Sequence, residues 1–99
     1  MREVKSQHMT YPSNQQADQL IDEGHTLLMH GEWVEAVAKF DRAIAIGTQS
    51  GNAYFYKGQA LSHLKRYTEA RDAFQRALQI NPNDGEAKRD LEYVLRHLK

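Results

Sequence analysis

The chain has 99 residues, with 13 lysines and arginines, 13 aspartates and glutamates and a formal net charge of zero. This length corresponds to one small domain or to part of a larger protein, and the 40% hydrophobic content is typical of a globular chain. Zero net charge argues against a nucleic-acid binder, which carries excess lysine and arginine. No apolar segment has the length of a transmembrane helix, so no membrane insertion is expected. The absence of cysteine excludes disulfides and thiol nucleophiles and favours a cytoplasmic location.

The first segment, residues 1–16, has no apolar periodicity, so we expect a flexible leader. Ser13 and Gln16 have the spacing of a capping box, which predicts that the first helix begins near Asn14. Met9 offers a second start position and leaves open whether the residues before it are natural.

A sequence repeat occupies the rest of the chain. When the sequence is shifted against itself by 34 positions, eight identical pairs align without a gap. They are Gly24 and Gly58, Leu27 and Leu61, Glu35 and Glu69, Ala36 and Ala70, Phe40 and Phe74, Arg42 and Arg76, Ala43 and Ala77, and Ile46 and Ile80. The alignment predicts two repeats, 17–50 and 51–84, followed by a partial third copy at 85–99.

Each repeat is predicted to form two helices. In the second half of the first repeat, large apolar residues are spaced by three or four positions and therefore share one helical face. They are Trp33, Val37, Phe40 and Ile44. Glycine inside a helix costs about 1 kcal/mol relative to alanine. We therefore expect Gly24 and Gly58 to have a packing role, by allowing close approach to Ala36 and Ala70 on the partner helices.

Residues that end or begin helices separate these segments. Gly47 is predicted to end the second helix in a left-handed cap, and Pro82 cannot continue the fourth helix. Ser50 and Asp84 are predicted N-caps of the helices that follow them. The sequence therefore predicts five helices, arranged as two hairpins and one closing helix.

The order of large and small residues resembles the tetratricopeptide repeat. The second repeat matches the family pattern at Tyr54, Gly58, Leu61, Tyr67, Ala70, Phe74, Ala77 and Pro82. The first matches it at Leu20, Gly24, Leu27, Trp33, Ala36, Phe40 and Ala43. It departs from the pattern at Thr48, where the family prefers proline. The resemblance covers residues 17–99 and implies an all-α, right-handed superhelix (α-solenoid) of two helix-turn-helix repeats and a C-terminal capping helix.

The resemblance also implies a non-catalytic protein–protein interaction module. In the family, the first helix of each repeat lines a concave groove that binds a peptide or helix of a partner protein. The register places further residues on the groove side, among them Leu28, Ser62, Asp90 and His97. The residues that we expect to contact the partner are Asp22, His25, Met29, Asn52, Phe55, Tyr56, Gln59, His63, Arg89, Tyr93 and Arg96. Two questions stay open. The residues Phe55, Tyr56 and Tyr93 either form an aromatic floor of the groove or pack between helices. The leader, at Met9, Tyr11 and Pro12, either lies free or folds onto the groove.

One family subtype binds the C-terminal tail of chaperones through a clamp of lysine, arginine and asparagine side chains. At the corresponding positions this chain has Ile21, His25, Tyr56, Glu86 and Asp90. Two of these residues are acidic and would repel the carboxylates of such a tail. A chaperone C-terminal tail is therefore not the expected partner.

Catalytic and metal-binding motifs do not emerge from the sequence. Three of the five histidines, His25, His63 and His97, fall at groove positions, but no His-Glu-x-x-His motif accompanies them, so we predict no metal site. The serines have no nucleophile-elbow context, and the glycines stand singly at repeat positions. We expect neither an enzyme nor a bound cofactor.

The alternative to groove binding is self-association. The net charge is −4 over residues 17–50, +3 over residues 51–99 and +1 over residues 1–16. A chain polarised in this way can stack end to end as a homo-oligomer, or with neighbouring repeats of a longer parent protein, through opposite charges. The other interpretation is ordinary variation between solvated faces.

Overall fold

A computed structural model describes the backbone of residues 12–99 and the side chains from residue 15 onward. Five helices occupy this range: α1 (Pro12–Met29), α2 (Trp33–Ile46), α3 (Gly51–His63), α4 (Tyr67–Ile80) and α5 (Gly85–His97). The predicted all-α architecture of five helices is confirmed for this part of the chain.

The first helix begins at Pro12, slightly earlier than the sequence predicts. Proline suits the first position of a helix, because the backbone N–H that it lacks would have no intrahelical partner there. Residues 12–16 of the predicted leader therefore belong to α1. Its other residues, including Met9 and Tyr11, lie outside the described range, as does the side chain of Pro12.

Successive helices pack side by side. α1 packs against α2, and α3 packs against α4, so each repeat is a helical hairpin. The second hairpin contacts the first mainly through α3 and α2, and α5 lies against α4. The first helices of the units also meet, α1 with α3 and α3 with α5, so these three helices share one side of the molecule. None of the helices within residues 12–99 has the length and hydropathy needed to cross a bilayer.

The predicted helix caps are confirmed. The Ser50 hydroxyl accepts a hydrogen bond from the Asn52 N–H at 3.2 Å, and the Asp84 carboxylate accepts one from the Ala87 N–H at 3.1 Å. Gly47 ends α2 in the left-handed conformation, with a φ of 106°. These contacts satisfy backbone groups that a helix end leaves without partners.

The glycines inside α1 and α3 face aromatic rings. A Cβ atom added at Gly24 would lie 2.6 Å from Cε1 of Phe40, and one added at Gly58 would lie 2.6 Å from Cε1 of Phe74. Both rings are fully buried. The sequence correctly predicts a packing role for the glycines, but the atoms that fill the space are those of the two phenylalanines rather than the predicted alanines.

Fully buried residues recur at two matching positions of α3 and α5. Ala53 and Ala60 of α3 are fully buried, as are Ala87 and Val94 of α5, which follow them by 34 positions. The corresponding residues of α1 are Gln19 and Thr26, which are exposed. Gln19 donates a hydrogen bond to Glu23, and the Thr26 hydroxyl donates one to the Asp22 carbonyl, both within α1. With respect to residues 15–99, the side chains of Gln19 and Thr26 are therefore open to solvent.

Candidate functional site

Two neighbouring hollows lie on the side of the molecule that α1, α3 and α5 share. The α1–α3 hollow, of about 410 Å³, is lined by Leu28, Met29, Gly31, Trp33, Gln59 and His63. The α3–α5 hollow, of about 330 Å³, is lined by Gln59, Ser62, His63, Phe74, Asp90 and Tyr93. Gln59 and His63 line both hollows, so the two adjoin along α3 and form one groove. We call it the groove below.

Aromatic rings hold the walls of the groove together at each junction between units. The imidazole of His63 stacks on Trp33, with ring centroids 4.6 Å apart and 6° between the planes. The imidazole of His97 stacks on Tyr67 in the same way, at 4.4 Å and 7°. Each stack joins the second helix of one unit to the first helix of the next. The two stacks are related by the 34-residue period.

A second pair of side chains recurs between the first helices. His25 of α1 contacts Tyr56 of α3, with ring centroids 4.5 Å apart. The residues one period later, Gln59 and Asp90, also meet, and the Gln59 amide donates a hydrogen bond of 3.3 Å to the Asp90 carboxylate. The same positions thus hold an aromatic contact in one junction and a polar contact in the other.

Tyr93 stands at the edge of the α3–α5 hollow. Its side chain is 46% exposed, and its ring lies 4.6 Å from that of His97. Burial, together with the neighbouring Tyr93 hydroxyl, raises the pKa of Tyr67 above its ordinary value. Tyr93, His97 and Tyr67 thus form one aromatic cluster, which presents the Tyr93 ring to the groove.

The sequence and the fold of this chain both have counterparts among known proteins. The family model described as the tetratricopeptide repeat matches residues 51–84. The NMR structure of the first TPR domain of the human RPAP3 protein superposes with a TM-score of 0.80, at 22% identity, over 84% of this chain and 65% of that one. Residues 51–84 are thus a tetratricopeptide repeat, and the described part of the chain has the tetratricopeptide repeat fold.

Two further proteins are similar to this tetratricopeptide repeat domain. The first TPR of Spaghetti (RPAP3), bound to the HSP90 peptide SRMEEVD, superposes with a TM-score of 0.55 at 20% identity, over 85% of this chain and 94% of that one. The Protein O-mannosyl-transferase Tmtc3 of Drosophila melanogaster is 34% identical over 73 residues, which are 74% of this chain. The tetratricopeptide repeat domain spans only 8% of the length of that curated relative.

Four of the residues that we expected to contact the partner line the hollows of the groove. Met29 is 70% exposed at one end, Tyr93 lies at the other, and Gln59 and His63 lie between them. These side chains span the groove from α1 to α5.

The other residues that we expected to contact the partner do not line either hollow. Phe55 is buried in the core of the tetratricopeptide repeat domain, 5% exposed, with its ring 6.0 Å from that of Phe74. Tyr56 is half-buried among His25, Phe40 and Phe55. Of the two interpretations left open by the sequence, packing between helices therefore describes Phe55.

Polar residues make up the rest of the predicted set. Asp22, Asn52, Arg89 and Arg96 are exposed, and none of them lines either hollow. Asn52 lies in the first turn of α3, where its N–H is capped by Ser50. A guanidinium nitrogen of Arg89 lies near Gly85, at the start of α5.

The structure adds lining residues that sequence reasoning did not assign to the groove. Trp33 was expected only on the apolar stripe of α2, yet its ring also forms a wall of the α1–α3 hollow. Phe74 is buried and closes the α3–α5 hollow from below. Trp33 and Tyr67 are 34 residues apart, and so are His63 and His97. This shared offset is the sequence signal that links the two stacked pairs.

A further hollow lies between α1 and α2, outside the groove. Its volume is about 430 Å³, and charged side chains line much of it. There Lys39 and Glu23 pair with each other at 3.0 Å, and this pairing lowers the pKa of Glu23. Among the described residues, histidine, aspartate and glutamate do not gather in a group of three that could bind a metal ion.

Proposed function

We propose that this tetratricopeptide repeat domain is a non-catalytic module that binds an extended segment of another protein in the groove. The observation that carries the proposal is the continuity of the α1–α3 and α3–α5 hollows through Gln59 and His63. A continuous groove across three helices suits a chain that runs across them, whereas a small molecule is usually enclosed by a single pocket.

Exposed anchors at both ends of the groove support this proposal. Met29 is 70% exposed and Tyr93 is 46% exposed, and both border hollows that a partner's side chains can fill. Tyrosine, tryptophan and methionine are enriched at protein interfaces, where they contribute large contact areas. The stacked pairs behind them fix the groove walls, which lowers the entropy cost of binding.

The bound segment is expected to differ from a chaperone tail. The first TPR of Spaghetti (RPAP3) binds the acidic HSP90 peptide SRMEEVD. Here three of the clamp positions are Ile21, which is buried, and the carboxylates Glu86 and Asp90. Neither kind of side chain donates hydrogen bonds to a peptide carboxylate. We therefore propose a partner segment of another chemistry.

The alternative function, end-to-end stacking of units, has less support than groove binding at the outer face of the first repeat. A preceding unit would press its second helix onto Gln19 and Thr26, at positions where α3 and α5 place fully buried alanines and valine. Burying these side chains would take their remaining polar groups out of water, which costs free energy unless new hydrogen bonds replace the lost hydration. The outer face of α1 therefore favours solvent over a stacked copy.

The experiment is a selection of random peptides on the purified domain, followed by affinity measurements on matched variants. Met29→Ala removes a groove side chain, and Val34→Ala removes an apolar side chain of similar exposure, 61%, that lines neither hollow. We expect Met29→Ala to weaken binding of the selected peptides and Val34→Ala to leave it unchanged. Equal effects of both substitutions, or the absence of any selected peptide, would contradict the proposal.

A further inference from the structure

The two hollows of the groove share one architecture but differ in chemistry. Leu28 lines the α1–α3 hollow, and the residue one period later, Ser62, lines the α3–α5 hollow. Tyr56, at the junction of α1 and α3, is likewise replaced one period later by Asp90. The first hollow is therefore mainly apolar, whereas the second contains a carboxylate.

Asp90 retains unused hydrogen-bonding capacity. From the described residues its side chain accepts one hydrogen bond, from Gln59, and that bond is long at 3.3 Å. A carboxylate has about four acceptor sites. Within residues 15–99 no lysine or arginine forms an ion pair with Asp90. Asp90 is half-buried as a residue, so a charged partner would be screened less than at an open surface.

Other groups in the α3–α5 hollow also suit a cation. The Tyr93 ring stands at its edge, and the face of a tyrosine attracts lysine and arginine side chains. The Ser62 hydroxyl oxygen is buried without a hydrogen-bond partner in the described part of the chain. Among the side chains of residues 15–99, neither a lysine nor an arginine lines the hollow. Arg66, Arg71 and Arg76 contact other side chains.

We infer that the α3–α5 hollow binds a lysine or arginine side chain of the partner segment, while the α1–α3 hollow takes an apolar side chain. This inference rests on the proposed function, and it names the chemistry of the segment. Neighbouring helices are about 10 Å apart, and an extended chain advances about 3.3 Å per residue. The apolar and the basic residue of the partner segment are therefore separated by about three residues.

The test uses the peptides selected on the wild-type domain. We expect them to be enriched in lysine or arginine about three residues from an apolar residue. Replacing the basic residue with glutamine is expected to weaken binding about tenfold. Asp90→Asn keeps the shape of the side chain and an acceptor for Gln59. It should cause a similar loss for the basic peptide and almost none for its glutamine version.

Glu92→Gln is the matched control, because it removes the same charge from an exposed position of α5 that does not line the hollow. An unchanged affinity is expected for Glu92→Gln. Asp90→Lys should redirect a second selection towards acidic peptides.

Four outcomes would overturn the inference. Selected peptides that bind the groove without a basic residue, or that bind Asp90→Asn as tightly as the wild type, would refute it while leaving the proposed function intact. Equal losses in Asp90→Asn and Glu92→Gln would show that only the overall charge matters. Failure to select a groove-binding peptide would refute both proposals together.

Discussion

His63 of α3 stacks flat on Trp33 of α2, and the contact recurs one period later between His97 of α5 and Tyr67 of α4. Each pair links neighbouring units and forms a wall of the groove or lies beside it. The stacks therefore couple the stability of the solenoid to the shape of its binding surface. In a short solenoid, every junction of this kind contributes a large share of the total stability.

Removal of the first stack should loosen the junction between the repeats. Aromatic pairs contribute about 0.5–1.5 kcal/mol beyond the area that they bury. We expect His63→Ala to lower the free energy of unfolding by about this amount, measured by urea denaturation. His30→Ala is the control, because His30 is exposed in the turn after α1. Equal effects of the two substitutions would show that the stack does not stabilise the fold.

Gly58→Ala should destabilise the domain although alanine is the better helix former. The added Cβ would lie 2.6 Å from the ring of Phe74, which is fully buried and cannot move aside freely. Overpacking of this kind costs about 1–3 kcal/mol. At Gly85 the nearest atom would be 3.7 Å away, at the end of the Arg89 side chain. Gly85→Ala should therefore be neutral or slightly stabilising in the same thermal or chemical denaturation assay.

Lys65 occupies a backbone conformation that suits glycine. Its φ is 62°, and the residue one period earlier, Gly31, has a φ of 78° in the corresponding turn. Residues with a Cβ pay about 1 kcal/mol in this region. Lys65→Gly should therefore raise the free energy of unfolding by up to about 1 kcal/mol, and Gly31→Ala should lower it by a similar amount. A loss of stability in Lys65→Gly would contradict this explanation.

Acid should weaken the ion pair of the second repeat. Hydrogen bonds from Arg66, each 2.7 Å long, hold the pKa of Glu69 below its usual 4.5. Because the pKa is depressed in the folded state, this contribution is complete above pH 4.5 and is lost as the pH falls through the lower folded value. The stability difference between wild type and Glu69→Gln should therefore shrink below pH 4.5.

Glu92→Gln, which alters an exposed glutamate outside these ion pairs, is the control for this titration. A difference between wild type and Glu69→Gln that stays constant down to pH 2 would contradict the assigned cause.

Much of the fold follows from the sequence, because one set of residues marks the helix ends and another marks the buried face of each helix. Gly47, Ser50 and Asp84 mark helix ends through local backbone chemistry, which does not depend on distant contacts. The apolar periodicity then identifies the buried faces. The start of α1 was less well predicted, since Pro12 and the capping-box residues Ser13 and Gln16 are both suitable helix-start signals.

The site was harder to predict, because register gives a position but not its depth. Phe55 occupies a groove position by register, yet its ring is long enough to reach Phe74 in the core. Trp33 belongs to the apolar stripe of α2, but its large ring extends from that stripe to the groove wall. The difference between the two hollows depends on Ser62 and Asp90, whose meaning becomes clear only when the helices are packed together.

The most direct test of the central proposal is chemical-shift mapping of the labelled domain with a peptide selected on it. Binding in the groove predicts that the largest backbone amide shifts occur at Met29, Gln59, His63 and Tyr93, with little change at Val34, Arg42 and Arg76. Shifts centred on those last three residues, with α3 unaffected, would contradict the proposal that the groove is the binding surface.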